Sequence, residues 1–241
     1  MFQKISLVLM SAFALCFPSV TLGGSPASAT AGPAGYSWFL VDAGADVEDQ
    51  AALIDEFLAH QAAQLWEFTL ERPSTSNTRS GQVRLAAAGS PFERRQGNDG
   101  NRLLRWPRVK AGDWTWQIAV EAEIRQRGEE LRFVFRVENE VPGWIVRELR
   151  APIVGRIAAD RLDLLWPDSL GRRVRDLEAV RAARLLYPGW ASMQWFALVA
   201  NDERGLYVGS HDDTFQTTAL GVDCDPDTRR LEAAITKYPL L

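Results

Sequence analysis

Cysteine and histidine, the side chains most often used for redox and metal chemistry, are nearly absent: two of each in 241 residues. They are Cys16 and Cys224, His60 and His211. Cys16 lies in an amino-terminal stretch laid out like a secretory leader. The remaining chain then holds Cys224 alone, which excludes an intrachain disulfide and a cysteine metal cluster. Stability must come from packing, which a chain of this size can supply. An excess of positive charge is missing too. Lys and Arg number 27 against 31 Asp and Glu, for a net charge of −4. That balance argues against nucleic acid or an anionic membrane surface as the main partner. A phosphate-cradling glycine loop, a zinc pattern and a nucleophile elbow are all absent, and no cofactor or metal is expected.

The one long apolar run, residues 5–17, follows Lys4 and precedes Ala27-Ser28-Ala29, a small-residue cleavage site. This is the layout of a signal peptide over residues 1–29, too short and wrongly flanked for a permanent membrane span. The expected product is secreted or periplasmic, with no membrane attachment after cleavage. An uncleaved anchor is the alternative. A lipoprotein is disfavoured because Leu15 stands before Cys16, where such signals carry a small residue.

What the chain has in quantity is apolar character, 46% of residues, and nine tryptophans. Tryptophan at that level marks a large β core or a sugar-facing surface. Residues 30–64 read as a small-residue start, a first strand at 38–41, and one short amphipathic helix at 46–60. Asp46 caps that helix, and Ala51, Ile54, Phe57 and Leu58 form its apolar stripe. Beyond it the period changes to two. Trp66, Phe68 and Leu70 alternate with polar residues, and Val83, Leu85 and Ala87 repeat the pattern. Residues 90–101 read as a loop. Trp114, Trp116, Ile118, Val120, Ala122 and Ile124 share one parity and are expected in the core, opposite Leu131, Phe133, Phe135 and Val137 in an antiparallel hairpin.

Further strands are expected at 144–154 and 162–166, with 177–186 helical or irregular. The stretch 185–213 organises the remainder as a strand at 193–200, a polar turn, a strand at 206–208, and a loop carrying His211, Asp212 and Asp213. A last hairpin joins 215–222 to 230–236. The expected fold is all-β, an antiparallel sandwich with one short helix near the amino end, its sandwich domain covering residues 65–241.

Several landmarks fall in a familiar order: Leu65-Trp66-Glu67, Val137-Glu138-Asn139, Pro152-Ile153-Val154-Gly155, Trp166-Pro167, Tyr187-Pro188-Gly189, Ser192-Met193-Gln194-Trp195 and Gly205-Leu206-Tyr207 through His211-Asp212. In this the chain resembles the galactose mutarotase-like β-supersandwich at the amino end of certain secreted glycoside-hydrolase-like proteins. The resemblance covers residues 65–241, and 193–212 is its most specific part. It implies a (β/α)8 barrel after the sandwich. Such a barrel needs about 200 residues, and Tyr238-Pro239-Leu240-Leu241 leaves no room for it. The hydrolytic carboxylates are therefore expected outside this chain, whether it is a gene fragment, a split product or a freestanding relative.

His211 beside Asp212 and Asp213 is the one cluster inviting acid–base chemistry, because histidine titrates near neutrality. The alternative is a loop in which the carboxylates cap a turn. The mutarotases resembled use paired histidines with a glutamate. Here the other histidine, His60, lies outside the matching strands, so no confident catalytic residue emerges beyond the weak pair His211 and Asp212. For sugar contact the candidates are Trp190, Gln194, His211 and Asp212. Trp190 follows Pro188-Gly189 in a loop, whereas Trp195 sits in an apolar strand and reads as core; Trp144 is a further flat face. Glu121 and Glu123, two apart on a wet strand face, read as solvated charge. Asp223, Asp225 and Asp227 around Pro226 lack the glycine and terminal acid of a calcium loop and read as a polar turn. The arginines of 172–184 read as a solvated face or a contact with a further domain.

The expected role is a non-catalytic module that contacts carbohydrate or supports a catalytic barrel. A freestanding mutarotase-like epimerase and a docking module without glycan binding are the alternatives.

Overall fold

The computed structural model describes residues 3–14, 58–59, 61–74, 80–97, 101–127, 130–159, 162–177, 182–200, 204–210 and 217–239. They form an all-β protein. A nine-stranded sheet runs, in spatial order, β12 (Arg172–Val174), β11 (Leu162–Trp166), β14 (Trp195–Ala200), β15 (Arg204–Ser210), β1 (Gln3–Ala14), β9 (Glu130–Asn139), β8 (Ile118–Arg127), β5 (Arg102–Trp106) and β4 (Glu93–Gln96). A six-stranded sheet runs β13 (Ala182–Tyr187), β16 (Thr218–Asp225), β17 (Arg230–Lys237), β10 (Ile145–Ala158), β2 (Glu67–Arg72) and β3 (Gly81–Ala86). A separate small hairpin pairs β6 (Val109–Ala111) with β7 (Trp114–Trp116). Every described strand pairing is antiparallel.

The hairpin of β8 and β9 forms as its alternation predicts. Val120 stands opposite Val137, Ala122 opposite Phe135 and Ile124 opposite Phe133. These side chains are buried, and each large one removed from water contributes about 1.5–3 kcal/mol. Facing pairs on the outer surface carry charge instead: Glu121 opposite Arg136, with a 2.9 Å ion pair. The buried faces of both sheets share one core. Trp66, beside β2, meets Trp106 of β5 edge to face at 5.5 Å, which ties the two layers together.

Three expectations change. The run from Trp114 to Ile124 is not one strand: it breaks at Gln117, whose carbonyl accepts from the Glu140 amide, and β7 turns away with β6. Trp114 is consequently 77% exposed rather than core, and Trp116 is half-buried against Trp144. Within the stretch read as helical or irregular, residues 182–187 are β13, an edge strand whose Ala183, Leu185 and Tyr187 are half-buried and whose alternate residues are exposed. The expected loop at 90–101 holds the exposed edge strand β4. Of the helix expected at 46–60 only Leu58 and Ala59 are described, and they are helical, as is Gln61, which leads into a 3-10 turn at Ala62–Gln64; residues 46–57 and His60 lie outside the described residues.

β1 falls inside the expected leader. Its backbone pairs on one side with β15 and on the other with β9, filling the middle of the larger sheet.

Candidate functional site

The most distinctive surface lies where two loops meet at one end of the larger sheet. After β13, the chain turns at Pro188-Gly189. Gly189 has φ +148, and a Cβ there would stand 3.3 Å from the Leu186 carbonyl oxygen, so glycine is required for the tight reversal. The Ala191 amide then donates to that Leu186 carbonyl at 3.0 Å. Ser192 clamps the loop to the turn after β11: its amide and its hydroxyl both donate to the Pro167 carbonyl, at 2.8 and 3.0 Å. Asp168 and Ala191 form a single bridge, and the Gly171 amide closes the facing turn on the Asp168 carbonyl at 2.8 Å. On the other side the Ser210 amide donates to the Gln194 carbonyl at 2.8 Å. The loop is thus tied to the scaffold at both ends, which holds a surface side chain in place at little further entropic cost.

Trp190 sits at the apex of this loop, 76% exposed. Of the six large apolar side chains exposed among the described residues, four come from these tied segments: Leu170, Leu186, Trp190 and Met193. Beside them opens a cleft of about 200 Å³ walled by Trp166, Pro167, Met193 and Trp195 and edged by Arg172 and Arg173. Trp195 is half-buried, its ring tilted on Tyr207 at 5.3 Å, so it lines this cleft rather than the core. Trp166 is buried and packs on Phe196 at 5.5 Å. Arg173 is anchored on Asp163 at 2.5 Å, and Arg172 reaches Asp168 at 3.5 Å. The result is an apolar, aromatic floor with guanidinium donors at its edge.

A second cleft, about 210 Å³, lies on the outer face of the six-stranded sheet and is built from charge. Register places Glu67 opposite Arg150 and Asp223 opposite Glu232. Arg150 pairs with Glu67 at 3.1 Å, Asp223 at 2.7 Å and Glu232 at 2.6 Å. Burial pushes the Glu67 carboxyl up, but hydrogen bonding and charge from Arg84 and Arg150 outweigh it and hold it below its ordinary value. Burial likewise raises the Tyr238 hydroxyl, which receives a hydrogen bond from Arg184. These charges answer one another, so the cleft reads as a cross-strand ion network.

Of the predicted sugar-contact residues, Trp190 and Gln194 share the tied loop. His211, Asp212 and Asp213 lie outside the described residues, directly after Ser210. Trp144 is half-buried with the Arg72 guanidinium over its ring at 5.3 Å. Glu121 and Glu123 are both paired with Arg136. Asp225 accepts from the Asp227 and Thr228 amides and the Thr228 hydroxyl, the polar turn expected of that hairpin; these bonds lower its carboxyl below its ordinary value. Among the described residues no group of three His, Cys, Asp or Glu is placed to hold a metal. Sequence reasoning missed Arg172, Arg173 and Met193 as cleft walls. The arginines reach the site only because β12 pairs with β11 and β11 with β14, neighbours that no local pattern announces.

In comparisons with protein-family models, curated proteins and solved structures, nothing matches this chain.

Proposed function

We propose that this chain is an exported β-sandwich module of a glycoside-hydrolase-like protein that holds carbohydrate at the loop-end cleft. The observation that carries this reading is the exposed Trp190 indole on a doubly tied loop whose Met193 walls a cleft floored by Trp195 and edged by two arginines. An indole buries the apolar face of a sugar ring, and guanidinium N–H groups bond its hydroxyls. The cleft is smaller than the roughly 300–1,000 Å³ of drug-sized pockets, which suits one ring of a longer glycan. Kinship with galactose mutarotase-like sandwiches belongs to the same proposal and rests on the ordered motifs of residues 65–241.

The test is calorimetric titration with neutral oligosaccharides of glucose, galactose, mannose or N-acetylglucosamine. At least one is expected to bind, and Trp190→Ala is expected to weaken it on the order of tenfold, while Trp114→Ala, at an exposed tryptophan elsewhere, leaves it unchanged. Equal binding by wild type and Trp190→Ala removes the site.

A second reading is favoured by the clustering of Leu170, Leu186, Trp190 and Met193. Four exposed apolar side chains, Leu186 at the end of β13 and the others in the two joined loops, also suit a contact with a catalytic barrel. Binding to a barrel partner with no response to any glycan selects it.

A further inference from the structure

Next to the cleft, the outer face of the larger sheet carries a second flat aromatic surface. Trp195 and Tyr207 stand on adjacent strands, β14 and β15, at positions that alternate with the core residues Phe196, Leu198, Leu206 and Val208. Their register is diagonal: Trp195 is opposite Gly209, and Tyr207 is opposite Ala197. Both opposites are small, which leaves each ring room to lie down on the sheet. Tyr207 does so along its own strand. A Cβ on Gly209 would stand 2.7 Å from the Tyr207 hydroxyl oxygen and 2.8 Å from its ring carbon Cε1, so only glycine leaves the ring that place. The two rings meet at 5.3 Å with 33° between their planes, and both are half-buried, keeping part of their surface in solvent. The pair is continuous with the cleft. Trp195 lines it, and one row of the register runs from Arg173 through Leu165 and Ala197 to Tyr207. Stabilisation of the sheet by a cross-strand aromatic pair accounts for the contact between the rings. It does not account for a glycine in mid-strand, which weakens β15 and is needed only to let the tyrosine lie flat.

We propose that Tyr207 is a second sugar subsite, so that the ligand is a linear oligosaccharide crossing from the loop-end cleft over Trp195 onto β15. This inference rests on the carbohydrate reading of that cleft. The cleft has room for one ring, and the 5.3 Å between the Trp195 and Tyr207 centroids sets Tyr207 about one sugar ring further along. The next ring of the chain lays its apolar face on the phenol ring and turns its hydroxyls to water. Gly209 is a positioning residue: it fixes the plane of the Tyr207 ring without touching the sugar. The site therefore selects chain length as well as sugar identity, because a single unit engages the cleft alone.

The test is calorimetric titration of the full chain with β-1,4-linked ladders of glucose, galactose, mannose and N-acetylglucosamine, each running from a single unit to five. In the ladder that binds, affinity is expected to rise about three- to tenfold at the step where the chain reaches Tyr207, the range of one aromatic stacking contact. Tyr207→Ala is expected to erase that step and leave the shortest binding member unchanged, whereas Tyr207→Phe, which keeps the ring, keeps the step. Should Tyr207→Ala fail to fold, wild-type protein labelled with 3-fluorotyrosine supplies the reading. Its Tyr207 resonance, assigned among the chain's four tyrosines by Tyr207→Phe, is expected to move with the longer members and stay in place with the shortest. Affinity independent of length, a step that survives Tyr207→Ala, an equal loss at every length in that variant, or a Tyr207 resonance that no member moves overturns the subsite. With any of these, binding of the shortest member that still depends on Trp190 leaves the cleft standing, whereas no binding in any ladder removes the cleft and the subsite together.

Discussion

Gln61 gives the sharpest test of how this sandwich is held together. It is fully buried, ahead of the 3-10 turn, and its amide acts as a missing strand for β10. The β10–β17 register slips between Val154 and Ile157. At that irregularity the Gly155 amide donates to Gln61 Oε1 at 3.3 Å, and the Gly155 carbonyl accepts from Gln61 Nε2 at 3.1 Å. Gln64 Nε2 also donates to Gln61 Oε1, at 2.6 Å. Gln61→Ala orphans both backbone groups of Gly155 in a buried setting, at about 1–3 kcal/mol each. A water entering the vacated space returns part of that, so the net loss is expected at about 2–4 kcal/mol. Urea unfolding followed by tryptophan fluorescence measures it as a lower midpoint at constant slope. Gln61→Glu keeps the acceptor and removes the donor, and its deficit is expected to shrink on acidification as the carboxyl regains a proton to donate. A Gln61→Ala protein within about 0.5 kcal/mol of wild type, the range of an ordinary surface change, refutes the account of β10.

Two further predictions concern packing and charge. Trp66→Ala is expected to cost about 3–5 kcal/mol because Trp66 joins the two sheets, whereas Trp114→Ala stays within about 0.5 kcal/mol; paired denaturation curves decide, and equal losses contradict the break at Gln117. The Glu67 carboxyl, held below its ordinary 4.5, contributes stability above that pH which is lost as pH falls through the lowered value. Glu67→Gln should therefore cost about 1 kcal/mol near neutrality, a figure kept small because Arg84 is largely exposed, and the cost should vanish in acid; a constant cost from pH 7 to pH 2 rules the linkage out.

The parts of the fold legible in the sequence are those where one face is dry and the other wet. The β8–β9 hairpin declares itself because Val120, Ala122 and Ile124 alternate with Glu121, Glu123 and Arg125. The same parity misleads at Trp114, where nothing in the alternation signals that Gln117 interrupts the strand. β13 escapes notice because it is an edge strand: Leu186 points apolar surface to solvent and blurs the period. At the candidate site, Trp190 is readable from the Pro188-Gly189 turn before it. The cleft beside it is not readable, because its walls come from β11, β12 and the loop before β14, brought together by sheet order alone.

Fluorine NMR of the protein labelled with 5-fluorotryptophan tests the central claim most directly, with resonances assigned by single tryptophan substitutions. Titration with the tightest-binding oligosaccharide is expected to move the Trp190 and Trp195 signals together along one saturating curve and leave those of Trp66, Trp106 and Trp114 in place. Saturable binding with Trp190 and Trp195 unmoved would contradict a carbohydrate site in the loop-end cleft.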